Sequence, residues 1–211
     1  MEKNFWLERW ELQQIGFHQN EVNPYLERYG HHLQGKVFVP LCGKSHDISW
    51  LARQGAQVVG VELSPIAVRA YFEENGLQAT CKQCGKFESH AANGIRLLCG
   101  DFFDLERSDM EGVSAVYDRA SMVALPVEMR ERYVRHLTSI LPEGAQILLI
   151  TFDYPQDEMQ GPPFAVSVDE VKRLYRDSAH IELLDQNDVL EPRFAERGVT
   201  RMRENVFLLK C

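Results

Sequence analysis

Residues 36–62 read KVFVPLCGKSHDISWLARQGAQVVGVE, and this stretch predicts the layout of the whole chain. Its two apolar runs, 37–39 and 58–61, are rich in β-branched residues and too short for helices, so they predict strands. Between them, Ile48 and Leu51 follow the spacing of an amphipathic helix. A strand, a glycine turn, a helix and a second strand form the βαβ unit of a parallel sheet.

The turn after the first strand and the acid that ends the second predict a nucleoside-containing cofactor. Gly43 lets the backbone approach a ligand closely, and Glu62 follows it by nineteen positions. An acid about twenty residues past a glycine turn is placed to accept hydrogen bonds from ribose hydroxyls. From this stretch alone, an ordinary βαβ unit with a surface glutamate is the alternative.

The sequence of this turn distinguishes between three classes of ligand that a βαβ unit could bind. A nucleoside triphosphate loop also contains Gly-Lys-Ser, as in Gly43-Lys44-Ser45, but it needs a glycine where Phe38 stands. A pyrophosphate dinucleotide needs three glycines, of which only Gly43 is present. A cofactor without phosphate needs one close backbone approach and one acid. S-adenosylmethionine is such a cofactor.

Length and composition indicate a single domain of a globular protein. The chain has 211 residues, of which 45% are hydrophobic and 26% charged, enough to bury a substantial core. Its net charge of −8 argues against a nucleic-acid partner, because phosphates favour a basic surface. No apolar run reaches the roughly eighteen residues of a membrane span. Lys3 and Glu8 near the N-terminus argue against a secretory signal. We expect a cytoplasmic monomer.

The five cysteines are odd in number and scattered, which predicts reduced thiols in a cytoplasm. Cys81 and Cys84 form a C-x-x-C pair, but no second pair follows at the spacing of a zinc ribbon. We interpret both as loop thiols and expect no metal site.

Seven strands of a mostly parallel sheet are expected, the last two forming an antiparallel pair. They are predicted near residues 37–39, 58–61, 95–99, 113–117, 147–152, 180–184 and 204–209. Residues 77–94 are polar and mixed, which predicts a loop with one short strand. With helices on both faces, this α/β layout is the Rossmann-like fold of class I methyltransferases.

Aromatic residues ahead of the first strand are compatible with a lid, but by themselves they favour a helix that packs on the sheet edge. The expected helix at residues 4–15 contains Trp6 and Trp10, and Phe17 opens the following loop. These rings could close over a flat ligand, or the helix could simply pack on the sheet edge.

The carboxyl ends of the strands, where open α/β sheets bind ligands, supply further candidates. Asp101 and Phe102 follow the third strand and suit an adenine, although a helix cap beside core aromatics is the alternative. Arg119 follows the fourth strand and Arg193 lies before the last, so both could converge on one cleft. Because arginine stays protonated, it can stabilise a forming thiolate but cannot act as an efficient base.

Motifs throughout the chain resemble one known family. They are WLERW (6–10), FHQ (17–19), VFVPLCGKS (37–45), VVGVELS (58–64), GDFFDL (100–105), VYDRASMVAL (116–125) and GPPF (161–164). Together they resemble the thiopurine S-methyltransferases, and a bacterial member in particular. The resemblance implies one methyltransferase domain over residues 1–211, with residues 1–34 as a helical lid. It implies methyl transfer from S-adenosyl-L-methionine to aromatic or heterocyclic thiols such as thiopurines, and to selenium or tellurium compounds, leaving S-adenosyl-L-homocysteine.

The resemblance also implies a role for each candidate residue. Six would line the cofactor site: Trp10, Leu41, Glu62, Asp101, Phe102 and Arg119. Phe17 and Arg193 would contact the acceptor, and Arg119 and Arg193 would be the catalytic pair. The alternative is a non-catalytic protein that binds the cofactor or sequesters oxyanions in detoxification.

Overall fold

A nine-stranded sheet organises the computed structural model, which describes residues 3–211. The strands are β1 Lys36–Val39, β2 Gln57–Glu62, β3 Thr80–Cys84, β4 Phe87–Ala92, β5 Ile95–Cys99, β6 Val113–Arg119, β7 Gln146–Asp153, β8 His180–Asp188 and β9 Arg203–Lys210. The α-helices are α1 Lys3–Glu11, α2 Pro24–Tyr29, α3 His46–Arg53, α4 Pro65–Glu74, α5 Val127–Ile140, α6 Val168–Tyr175 and α7 Pro192–Ala195. Across the sheet the strand order is β3-β4-β5-β2-β1-β6-β7-β9-β8.

The parallel centre of this sheet confirms the predicted fold class. Strands β5, β2, β1, β6 and β7 pair in parallel, and β9 runs antiparallel between β7 and β8. All seven predicted strands are present at the predicted places. Their order brings the carboxyl ends of β5, β2, β1 and β6 to one edge of the sheet.

The predicted number of strands was wrong by two. Residues 77–94 form the antiparallel hairpin β3–β4, where a loop with one strand was expected. The turn contains Gly85 with φ +56°, and β3 is the outermost strand, exposed along most of its length. An exposed edge strand needs no apolar side chains, so its sequence lacks the alternation that reveals a strand. Cys81 and Cys84 therefore lie on a strand and not in a loop.

Helices cover both faces of the sheet, as the alternation of its strands requires. Val37 and Val39 of β1 pack with residues of α2, α3 and α4, whereas Phe38 packs with residues of α5 and α6. In β7, residues 147–150 are all buried, which matches the unbroken apolar run of a central strand.

The N-terminal segment is shorter in helix than predicted. α1 ends at Glu11, because Gln13 takes a left-handed conformation with φ +55° that no helix can continue. α2 starts after Asn23, whose side chain caps it by accepting from Tyr25 N at 3.0 Å. Residues 1 and 2 of the predicted lid lie outside the described residues. Among residues 3–211, no helix has both the length and the apolar character needed to cross a bilayer.

Candidate functional site

Four predicted site residues lie where neighbouring strands end. Leu41 follows β1, Glu62 ends β2, Asp101 follows β5 and Arg119 ends β6. Because these strands are parallel neighbours, their ends form one continuous edge. The sheet therefore brings these four residues to the place where this fold class binds its ligands.

The turn after β1 takes a backbone conformation that is rare for side chains larger than glycine. Leu41 has φ +43° and Gly43 φ +52°. A Cβ at Gly43 would lie 3.3 Å from Cζ2 of Trp10. Gly43 N donates to Glu62 Oε2 at 2.9 Å. The turn thus leaves bare backbone between an indole ring and a carboxylate.

Glu62 is buried, with 7% of its surface exposed, and both of its oxygens accept backbone hydrogen bonds. Oε1 accepts from Ser64 N at 2.8 Å and Oε2 from Gly43 N at 2.9 Å. Burial raises the pKa of the carboxyl, and the amides of Ser64 and Gly43 oppose that rise by stabilising the anion. Each carboxylate oxygen has a second lone pair, so Glu62 can still accept from two hydroxyls.

α1 crosses the same edge and contacts it at both ends. Lys3 at its start forms an ion pair with Asp101 at 2.6 Å. Trp10 near its end is 3% exposed and lies against the Gly43 turn. Phe17 packs edge-to-face on Trp10 at 5.5 Å between ring centroids, with 38% of its surface exposed. The N-terminal aromatics therefore cover the strand ends, as a lid would.

Trp6 belongs to the same aromatic cluster, because its ring packs edge-to-face on Phe17 at 5.5 Å and on Phe5 at 5.2 Å.

Asp101 and Phe102 border a cavity of about 600 Å³ at this edge. Leu41, Leu63, Leu125, Arg132 and Tyr133 line it as well. Asp101 also caps the next turn, accepting from Phe103 N at 3.0 Å, and Phe102 packs on Tyr133 at 4.8 Å between centroids. The alternative interpretation, a cap beside core aromatics, is therefore present in the structure, and contact of this pair with an adenine stays a prediction.

Arg119 is half-buried, and within residues 3–211 its side chain has no hydrogen bond or ion pair. Its neighbour Asp118 is not its partner, since Asp118 accepts from Tyr133 Oη at 2.7 Å. The charge of Arg119 lowers the pKa values of His18, in the loop after α1, and of Glu204, on β9. Arg119 therefore lies near both side chains.

Arg193 lies on α7 and points to the surface. It is 61% exposed, pairs with Glu191 at 2.8 Å and lies over the ring of Phe194 at 4.7 Å. Burial raises the pKa of Glu204, Arg119 lowers it and Glu191 raises it, so Arg119 and the ion-pair partner of Arg193 both lie near this acid. The structure does not bring the two guanidinium groups into contact in residues 3–211.

Sequence analysis missed two charged residues at this edge. Glu204 is a carboxylate on β9 whose pKa burial raises. The sequence shows it as an acid two residues before the apolar run 206–209. Lys3 gave no signal, because its role depends on the path of α1 across the sheet.

Comparison with known proteins identifies relatives along the entire chain. The family model for thiopurine S-methyltransferase matches residues 1–211. A thiopurine S-methyltransferase from Nitrosospira multiformis is 57% identical over 99% of this chain and 98% of its own. One from Pseudomonas fluorescens is 49% identical over 100% and 99%.

Solved structures are similar in fold. The 1,6-didemethyltoxoflavin-N1-methyltransferase of Burkholderia thailandensis, solved with S-adenosylhomocysteine, has a TM-score of 0.67 at 13% identity, covering 99% of this chain and 86% of its own. A SAM-dependent methyltransferase from Anabaena variabilis has a TM-score of 0.66 at 14% identity, covering 99% and 94%. At these identities the likeness shows the class I methyltransferase fold.

Proposed function

Because the chain belongs to the thiopurine S-methyltransferase family, we propose that it methylates the sulfur of small aromatic or heterocyclic thiols such as thiopurines. It is an S-adenosylmethionine-dependent methyltransferase. One observation supports the proposal above the others. The Gly43 turn, the Glu62 carboxylate and the Trp10 ring meet at the carboxyl edge, beneath a lid of further aromatic rings.

The residues present fit the cofactor. Gly43 keeps its backbone clear where a Cβ would contact Trp10, and Glu62 keeps lone pairs free for hydroxyl donors. The bound cofactor supplies a methyl group on a sulfonium, ready for in-line displacement by sulfur. We propose that Glu62 accepts from the ribose hydroxyls.

Four residues complete the proposed cofactor site. Asp101 and Phe102 border the adenine, Leu41 lines the pocket, and Trp10 closes over it. We propose that Arg119 lies where the cofactor and the acceptor meet. It is the last residue of β6, and its charge acts on His18 in the loop after α1.

We propose that one aromatic ring and two arginines contact the methyl acceptor. Phe17 has enough exposed surface to stack on an aromatic thiol. Arg119 and Arg193 act as catalytic residues by stabilising the thiolate. For Arg193 this requires the exposed side chain to leave Glu191 and turn inward when the acceptor binds. Surface ion pairs cost little to break, about 0–1 kcal/mol.

The test is production of S-adenosylhomocysteine with an aromatic thiol, a selenol and tellurite as separate acceptors. We expect turnover with the thiol, and we propose that selenium and tellurium compounds are accepted too. Cofactor binding without product from any acceptor would contradict the proposal and favour a non-catalytic binding or sequestering role.

We also propose that residues 1–211 form one domain with residues 1–34 as its lid, and that the protein is a monomer in the cytoplasm. The five free thiols suit a reducing compartment. Light scattering after size-exclusion chromatography tests the monomer, since a dimer would double the mass of 24.3 kDa.

A further inference from the structure

The hairpin β3–β4 contains a cluster of three side chains that methyl transfer does not use. Cys81 on β3 lies directly opposite His90 on β4, and its Sγ is 3.1 Å from His90 Nδ1. On the other side of the ring, His90 Nε2 is 2.6 Å from Glu88 Oε1. The three groups therefore form a continuous thiol–imidazole–carboxylate chain.

The contacts of His90 fix how its ring can act. The ring is buried and stacks on Phe72 at 6.1 Å between centroids, with the planes 23° apart. Glu88 can only accept a hydrogen bond, so Nε2 carries the proton and donates it. Nδ1 then faces the thiol with a free lone pair. A nucleophile, a base and a group that orients the base are thus in hydrogen-bond sequence.

A single metal ion explains this arrangement less well. Ligand atoms of Cys81, Glu88 and His90 lie within 4.8 Å of one another. However, the thiol and the carboxylate face different nitrogens of the ring, and an ion can take only one of them. The hydrogen-bond pattern is that of proton transfer along the chain.

We propose that Cys81 is a nucleophilic thiol that forms a thioether with small α,β-unsaturated carbonyl compounds. The Sγ proton passes to His90 Nδ1, and the sulfur forms a bond to the β-carbon. The electron pair of the broken π bond moves to the α-carbon, which takes the proton back from Nδ1. Nothing is oxidised or reduced, and no further reactant is needed. Cys81 is exposed, so such a molecule can reach it.

Cys84 provides a control within the same strand. It is partly exposed, and in the described part of the chain its thiol has no hydrogen-bond partner. It lies opposite Phe87, so no imidazole faces it across the hairpin. Any difference between the two thiols that depends on His90 and Glu88 therefore reports on the chain of three groups and not on exposure.

The experiment is a time course of labelling by N-ethylmaleimide on the full-length protein, with each cysteine quantified by peptide mass spectrometry. We expect Cys81 to react about tenfold faster than Cys84, which is less than the roughly 10²–10⁴-fold of general-base catalysis in enzyme sites because the thiol is exposed. Glu88→Gln should slow Cys81 severalfold, and His90→Gln should bring it near the rate of Cys84. The Cys84 rate should stay unchanged in both variants.

Because His90 is buried, its variant is checked by thermal melting, and the exposed Glu88→Gln decides the outcome if His90→Gln fails to fold. A Cys81 rate that is the same in wild type and in Glu88→Gln would overturn the proposal. Cys81→Ser should keep the wild-type rate of S-adenosylhomocysteine formation, because Cys81 lies opposite His90, which pairs with Leu97 in the middle of β5 and not at its carboxyl end.

Discussion

Glu62 is held by opposing effects that suit it to bind neutral donors. Burial disfavours its charge, whereas the amides of Gly43 and Ser64 favour it. The same two amides orient the carboxylate, so its remaining lone pairs have a fixed direction before any ligand arrives. An acid fixed in this way loses little conformational entropy when it accepts ribose hydroxyls.

Glu62→Ala should weaken binding of S-adenosylmethionine by about ten- to a hundredfold, since hydrogen bonds to a charged group contribute about 1.5–3 kcal/mol. Titration calorimetry measures the change. Glu62→Gln fills the same space and separates loss of charge from loss of packing. Glu73→Ala, an exposed acid on α4, should leave the affinity unchanged. Equal affinities of wild type and Glu62→Ala for S-adenosylmethionine would contradict the proposed contact between Glu62 and the ribose.

The two arginines are expected to act on the protonation of the acceptor. Arg119→Ala and Arg193→Ala should lower turnover most for thiols that are largely protonated, and the deficit should shrink as pH rises and free thiolate forms. A pH–rate series with two acceptors of different thiol pKa measures this. Arg135→Ala removes an exposed arginine with a similar surface ion pair and should have no effect. A deficit independent of pH and of acceptor would leave only a structural or binding role.

The loop after α1 contains His18, and we expect its protonation to oppose closure of the proposed lid. Burial lowers the pKa of His18, and the positive charge of Lys44 lowers it further, with smaller effects from His46 and Arg119. Glu74 acts in the opposite direction. With the pKa depressed in the closed form, the closed lid is favoured above the ordinary pKa of about 6.5 and is progressively disfavoured as pH falls through the lowered value.

Affinity for S-adenosylhomocysteine should therefore fall as pH drops from about 7 to 5.5, and it should fall less steeply in His18→Gln, which cannot be protonated. Calorimetry at four pH values on both proteins checks this difference. Superimposable pH profiles would show that His18 does not couple to the lid.

A strand could be predicted from the sequence only where burial requires a clear pattern of apolar residues. β1, β2 and β7 are buried on both faces, so their apolar runs were unambiguous. β3 is an exposed edge, and its pairing with β4 was invisible in a polar sequence. Its partner contacts, such as Cys81 with His90, could not be inferred for the same reason.

The candidate site residues were likewise predictable only where their positions follow from a local sequence pattern. Glu62, Asp101 and Arg119 lie at strand ends as expected, because strand ends follow from strand positions, whereas Leu41 was named from the family resemblance; the roles of all four stay predictions. The ion pair of Lys3 with Asp101 depends on how α1 crosses the edge, which no local pattern encodes. Arg193 was expected in a loop, either reaching into the cleft or solvated; it lies on α7, with its side chain exposed and paired with Glu191.

Residues 3–17 pack on the carboxyl edge of the sheet and contribute no side chain to the buried clusters on its two faces, whereas α2 belongs to one of those clusters. Trp10 and Phe17 belong to none of the hydrophobic clusters on the two faces of the sheet. The chain after residue 17 is anchored separately, because Asn23 N donates to Asp47 Oδ1 at 2.8 Å and Tyr117 Oη donates to Asp47 Oδ2 at 3.0 Å. Removal of α1 should thus leave the packed core intact.

Deleting residues 1–17 should give a protein that still unfolds cooperatively but is no longer stabilised by S-adenosylhomocysteine. For the full chain, ligand at a hundred times its Kd should add about 2.7 kcal/mol of stability by mass action. In a protein of this size that raises Tm by about 5–10 °C. The truncated protein should show almost no rise, because it has lost the Trp10 ring over Gly43 and the pairing of Lys3 with Asp101.

Calorimetric scans with and without ligand measure the cooperativity of unfolding and the ligand-dependent rise in Tm. Cys81→Ser is the control variant and should behave as the full chain does. If the truncated protein shows no cooperative transition, α1 is part of the core and the lid interpretation is wrong. If it melts normally and keeps the full ligand-dependent rise, the cofactor site lies elsewhere on the sheet edge.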